Sequence, residues 1–154
     1  MAQVVTFTEP GAVELRARSL GSPGPEELEV EAICSAISAG TEGLLYRGEA
    51  PRGMEADTSL SSLQGSLSYP IAYGYALVGR VRRVGSAVDS AWQDRRVFAF
   101  HPHATRAHVP VEEAIPVPEA ISAEVAALVP TAETAVNLAH DTAVLPGEDV
   151  LVLG

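Results

Sequence analysis

The sequence predicts a mainly β protein, a sandwich or a closed or partly open barrel of short strands, followed by a C-terminal helical segment. Three observations carry this reading. Roughly seven short apolar runs, each bounded by turn signals, fill the first 117 or so positions. Gly74 and Gly79 interrupt the long run Tyr69–Gly85, which asks for a backbone that curls. At Ser122 the pattern changes from alternation to helical spacing.

Taken in order, Gln3–Thr8 and Ala12–Arg18 read as two strands around the turn Glu9-Pro10-Gly11. Leu28–Ile37 alternates at first and then turns wholly apolar, as a strand does when it passes from a half-exposed to a buried place. Ser38-Ala39-Gly40-Thr41-Glu42 breaks it. A short helix is expected over Gly43–Arg47, with Thr41 as N-cap and Glu42 in the first turn. Glu49–Ser68 is long, polar and without period, so it reads either as a cover over a site or as disorder.

Tyr69–Gly85 reads as one long, bent strand. Leu77, Val78, Val81 and Val84 fill it, with Arg80, Arg82 and Arg83 at outward positions. Gly79 marks a bulge or a close backbone approach, and Gly85 a turn. Arg96–Phe100, Arg106–Val109 and Ala114–Val117 complete the strands. Beyond Ser122, which with Glu124 gives a weak cap signal, apolar residues recur at helical spacing (Val125, Leu128, Val129, Val136, Leu138, Ala139). Pro130 predicts two helices or one broken helix. Pro146-Gly147 is a turn, and Asp149–Leu153 has the composition of a buried parallel strand running into Gly154. A helix, a turn, an apolar strand and a glycine are how a βαβ unit begins, so a longer protein is expected.

Composition excludes several functions. The chain has 154 residues, 47% of them apolar and 19% charged, enough for one globular domain with a core. No apolar run is long enough to span a bilayer and no signal peptide is evident, so a cytoplasmic protein away from membranes is expected. A formal charge of −10 argues against a nucleic-acid partner. All 10 basic residues are Arg, which rules out a Schiff-base or phosphate-loop lysine in this segment. The lone Cys34, in an apolar run, forms no internal disulfide or cysteine zinc cluster and reads as a buried, inert thiol.

Three stretches, in order, carry a resemblance to zinc-type medium-chain alcohol dehydrogenases. Ser38–Glu42 (SAGTE) is similar to the family's Cys-Gly-Thr-Asp, with Ala39 at the metal-binding Cys position and Glu42 standing in for the Asp. Gly74, Gly79, Val81, Val84 and Gly85 match its Gly-His-Glu strand, with Tyr75 at the ligand His position and Ala76 at the Glu. Ala126–Asn137 resembles its Ala-Leu-Leu-Gly-Cys-x-x-x-Thr-Ala helix start, with Pro130, or Thr131 if the register slips by one, at the third ligand position. LPGEDVLVLG fits the entry into the nucleotide domain. Within the family, SAISAGTEGLLYRGEAP followed by YPIAYGY most resembles the metal-poor branch that includes bacteriochlorophyllide hydroxyethyl dehydrogenases.

The resemblance implies a GroES-like catalytic and substrate domain over residues 1–121, connecting helices over 122–147 and the start of a Rossmann nucleotide-binding domain over 148–154. It implies NAD(P) bound with a downstream Rossmann domain, a small-molecule alcohol, carbonyl or enone substrate, and leaves a homodimer open. Tyr, Ala and Pro cannot supply the three ligands of a catalytic zinc, so no zinc is expected there. Carbonyl polarisation then falls to hydrogen-bond donors. Tyr75 can place its hydroxyl in the emptied metal position, Thr41 resembles the family's proton-relay hydroxyl, and Glu42 can orient a partner or act as an acid. Thr134 falls where the family's threonine meets the nicotinamide, and Gly154 where its phosphate loop starts. Each has a plainer reading, with Thr41 a cap, Glu42 a charge at a helix N-terminus and Tyr75 a core aromatic.

His101 and His103 are two apart, a spacing that on a strand offers two metal ligands on one face. The preferred reading is a His-Pro-His turn on the rim with its rings hydrogen-bonded or solvated. His108 and His140 read as surface or packing histidines. The alternative to an enzyme domain is a non-enzymatic GroES-like scaffold or binding module.

Overall fold

Alternation of apolar and polar side chains builds two antiparallel sheets. The computed structural model describes residues 1–50, 67–142 and 147–151. The first sheet runs β2 (Ala12–Arg18), β1 (Ala2–Glu9), β4 (Ile71–Ala72). The second runs β7 (Arg106–Pro110), β3 (Glu27–Ser35), β5 (Leu77–Val84), β6 (Arg96–Ala99), β8 (Ile115–Pro116). The sheets do not close into one ring. The segment 103–105 stitches them: Val5 N donates to the His103 carbonyl, Val4 and Ala104 form a bridge, and Thr105 N donates to the Gln3 carbonyl. Of the mainly β architectures expected from the sequence, the partly open one is therefore the one observed.

Where β5 begins, both faces of the second sheet are buried, which is why its first two residues, Leu77 and Val78, are both apolar, while Arg80, Arg82 and Arg83 mark the rest of the strand as one-sided. Leu77 and Val81 join Leu28, Val30, Val97, Ala107 and Val109 in one cluster. Val78 joins Ala76 and Phe98 in another, covered by Ala123, Ala126 and Ala127 from helix α2 (Ala123–Ala126) and its C-terminal end. Phe98 and Phe100 meet edge to face at 5.1 Å. On the sheet's outer rim, Arg82 and Arg106 bind Glu31 at 2.7 and 3.2 Å and hold its carboxyl below the ordinary range, chiefly through the Arg82 hydrogen bond.

Glycine placement explains the local shape. A Cβ on Gly79 would stand 2.5 Å from the Glu31 carbonyl oxygen, so the close approach expected there exists. The register shifts twice along this pair, with Arg82 the extra residue on β5 opposite Glu29 and Val30, and Ile33 the extra residue on β3 opposite Gly79 and Val78. Gly85 ends β5 as expected, in a site where a Cβ would meet the Gly24 carbonyl.

Several elements differ from the sequence reading. Tyr69–Gly85 is two strands, because Gly74 at φ +133° turns the backbone between β4 and β5. β3 ends at Ser35, two residues early. Helix α1 (Thr41–Arg47) is capped by Gly40, with Thr41 its first residue; Thr41 N donates to Ser38 Oγ at 3.3 Å. The expected cap at Ser122 is present, its Oγ accepting from Val125 N, and Pro130 falls in the first turn of α3 (Val129–Asp141), where proline is tolerated. The helical spacing is right, yet Val125, Leu128, Val136 and Leu138 are exposed. Residues 149–151 are not strand, and Val150 and Leu151 are exposed, since no neighbouring strand among the described residues supplies hydrogen bonds to them. Most of Glu49–Ser68 and Gly154 lie outside the described residues.

Candidate functional site

Two hollows flank the segment Ile37-Ser38-Ala39, which lines both. β3 ends at Ser35, and the chain crosses from the sheet to α1 with few backbone partners; Ala36 N donates to the Ala76 carbonyl at 2.9 Å. The crossing segment is thus a partition with a space on each side.

The smaller hollow, about 250 Å³, is lined by Ala36, Ala39, Tyr75, Leu128, Pro130 and Thr131 among others. The three emptied ligand positions of the resemblance, distant in sequence, therefore share one space. Its polar side chains are those of Ser38, Tyr75 and Thr131. This set has neither imidazole nor thiolate and does not fit a catalytic zinc. Tyr75 is half-buried, its ring packed on the cluster of Ala76, Val78, Phe98 and the α2 alanines. Among the described residues its hydroxyl has no hydrogen-bond partner.

The larger hollow, about 430 Å³, lies between β1, β2 and α1. Val5, Phe7, Val13, Ile37 and Tyr46 give it apolar walls, and Ser35, Glu42 and His103 a polar floor. Glu42 is buried, 2% exposed, at the start of α1. Its Oε1 lies 2.9 Å from His103 Nε2, and its Oε2 accepts from Ser38 N at 2.7 Å. His103 Nδ1 lies 2.9 Å from Ser35 Oγ.

The structure separates the residues singled out from sequence. Tyr75 lines the smaller hollow and Glu42 the larger one. Thr41 is exposed at the first turn of α1, and Thr134 is exposed on α3 with its hydroxyl donating to the Pro130 carbonyl at 2.9 Å; neither lines these two hollows. Thr134 is thus available to a molecule lying along α3 rather than to one inside the hollow.

The rim reading of His-Pro-His is corrected at its second ring. His103 is buried, because Gly74 lacks the side chain that would occupy its place and because Ser35 and Glu42 satisfy both ring nitrogens. The signal was present as an acid at position 42 and a His-Pro-His, but sequence offers no spacing rule that joins them. His101 takes a different partner, its Nδ1 lying 2.8 Å from the Pro102 carbonyl, and burial pushes its pKa down. Among the described residues no group of three or more His, Cys, Asp or Glu is arranged to hold a metal. His108 sits between Glu27 and Glu29, at 3.6 and 3.7 Å, and His140 is exposed. Cys34 is half-buried with its thiol pushed up by desolvation, the direction of an unreactive thiol.

No protein-family model matches the sequence. No curated protein matches it either. Solved structures do match. A quinone oxidoreductase of Pseudomonas syringae pv. Tomato DC3000 superposes with a TM-score of 0.69 at 20% identity, over 96% of this chain and 44% of its own. A protein of E. coli CFT073 named a short chain alcohol dehydrogenase, complexed with NADH, gives 0.65 at 20% identity, over 91% and 45%. The Escherichia coli quinone oxidoreductase complexed with NADPH gives 0.60 at 21% identity, over 81% and 36%. The chain spans less than half the length of each of these structures. At such identities the likeness establishes the fold alone, a mainly β fold with a C-terminal helix that is shared with part of each of these structures. No helix among the described residues is long and apolar enough to cross a membrane.

Proposed function

We propose that this chain is the substrate-binding, GroES-like domain of an NAD(P)-dependent medium-chain oxidoreductase that acts on an alcohol, carbonyl or enone without catalytic zinc. The observation that carries the proposal is the convergence of Ala39, Tyr75, Pro130 and Thr131 on one hollow of about 250 Å³. In the resemblance these positions surround the reacting oxygen. Structures of this fold that hold NADH or NADPH support the cofactor class.

NAD(P)H, when bound, supplies the hydride. This chain's residues do the rest. The Tyr75 hydroxyl, without a protein partner among the described residues, donates to the substrate oxygen as charge develops on it. Leu128 and Ala36 give that hollow apolar walls that exclude water from the reacting carbon. Thr41, two residues from Ala39 and exposed, keeps in this reading the proton-relay role that the resemblance gives it, with a water joining its hydroxyl to the hollow that it does not itself line. In this reading Thr134 meets the cofactor, Gly154 keeps the phosphate-loop position that the resemblance gives it, and the domain divisions at 121 and 147 follow.

Titration of NADPH and NADH against the full-length protein tests the proposal, with binding of one or both expected; binding of neither rejects it. Elemental analysis after exhaustive dialysis tests the zinc-free reading, and one retained zinc per chain overturns it.

A further inference from the structure

We infer that His103 is a positioning residue that sets the Tyr75 hollow by clamping together its two walls. The inference rests on the proposed reading of that hollow as the reacting site. On one side, Nε2 meets Glu42 Oε1 and Nδ1 meets Ser35 Oγ, both at 2.9 Å. Glu42 Oε2 in turn accepts from Ser38 N at 2.7 Å, and Ser38 Oγ accepts from Thr41 N at 3.3 Å. The segment from Ser35 to Glu42, which carries Ser38 and Ala39 on the hollow's wall, is therefore held at both ends and in its middle.

On the other side, the imidazole fills the space a side chain at Gly74 would take. A Cβ there would lie 2.7 Å from both Cδ2 and Nε2. His103 N also donates to the Tyr73 carbonyl at 3.4 Å. Tyr75 follows directly, so one buried residue joins both, its ring bonded to the partition and packed on Gly74 and its backbone amide bonded to Tyr73.

The network assigns the ring's proton. A carboxylate only accepts, so Nε2–H donates to Glu42. In the neutral ring Nδ1 is then an acceptor, and the Ser35 hydroxyl donates to it. A ring of the same size without nitrogens leaves Glu42 Oε1 buried and without its donor. Glutamine retains a donor near the Nε2 position.

The test uses the full-length protein labelled with 3-fluorotyrosine, the Tyr75 signal being assigned with Tyr75→Phe, and separately with 15N-histidine. In the wild type the neutral His103 ring is expected as the Nε2–H tautomer. His103→Phe is expected to displace the Tyr75 fluorine signal and to lower kcat for NAD(P)H-dependent reduction of a carbonyl or enone by about 10–100-fold with KM within about threefold. His103→Gln is expected to return both toward wild type. An Nδ1–H tautomer, a wild-type Tyr75 signal in His103→Phe, or a Gln variant as displaced as the Phe variant overturns the inference. Should His103→Phe fail to fold, Ser35→Ala takes its place, with a smaller displacement of Tyr75 expected and none overturning the inference. A wild type that turns over no alcohol, carbonyl or enone defeats the proposed reaction alone, because the fluorine and nitrogen signals still decide the clamp.

Discussion

Gly74 and His103 occupy each other's space: a Cβ on the glycine would stand 2.7 Å from the imidazole, and the glycine's φ of +133° is one that L side chains rarely adopt. Gly74→Ala therefore meets two penalties at once. Strain at such a φ costs on the order of 1–3 kcal/mol, and overpacking against a buried ring a similar amount. The expected loss is about 2–5 kcal/mol of unfolding free energy, read from urea denaturation. A variant as stable as wild type would place the ring elsewhere.

Gly79 presents the contrasting case, a close approach without an unusual φ. A Cβ there meets the Glu31 carbonyl oxygen at 2.5 Å and a Val30 methyl at 2.5 Å. Backbone on a central strand pair yields less readily than a side chain. Gly79→Ala is expected to cost about 1–3 kcal/mol and to weaken amide protection at Glu31 and Ala32 more than at β1. Uniform loss of protection across both sheets would contradict this.

These two glycines show where sequence is informative. Gly79 was readable because a glycine inside an alternating apolar run has few explanations, and the run fixed strand, face and burial. Gly74 stands in the same run, yet its role depends on a histidine 29 positions later, across a sheet boundary. Period-two and helical patterns report which face of an element is apolar, and so β1, β2 and the helix start at Ser122 were legible, whereas the split of Tyr69–Gly85 into two strands and the earlier start of α1 were not. They do not report which buried polar groups pair. That is why Glu42 was identified as a candidate without its partner, and why Tyr75 was recognised through a resemblance to a family and not through its spacing. The exposed apolar side chains of α3 show the same limit from the other direction: helical spacing reveals an apolar stripe but not what covers it.

Histidine protonation gives a pH prediction. Burial holds the His101 pKa below its ordinary value of 6.5, so the unfolded chain takes up the proton more readily than the folded one. Stability contributed by keeping the ring neutral is complete above the unfolded value and declines as pH falls through it toward the folded value. His101→Gln is expected to flatten the fall in unfolding free energy between about pH 7.5 and about pH 5, while leaving the slope above that range unchanged. Urea denaturation at several pH values measures it. Parallel profiles for the two proteins would show that His101 takes up its proton equally in both states.

Tyr75 is the residue on which the proposed chemistry turns, and a single oxygen separates its roles. Its ring packs on Ala76, Val78, Phe98 and the α2 alanines, so Tyr75→Phe preserves the apolar contacts. Its hydroxyl borders the hollow without a partner among the described residues, so removal breaks no hydrogen bond there. If the hydroxyl donates to the reacting oxygen, its loss falls on the transition state, where the oxygen carries most charge, and not on ground-state binding. In the full-length protein Tyr75→Phe is then expected to lower kcat by about 10²–10³-fold, with KM and thermal stability nearly unchanged. If the tyrosine only packs, kcat stays at the wild-type value, and steady-state kinetics of the purified variant beside a thermal melt separate the two outcomes.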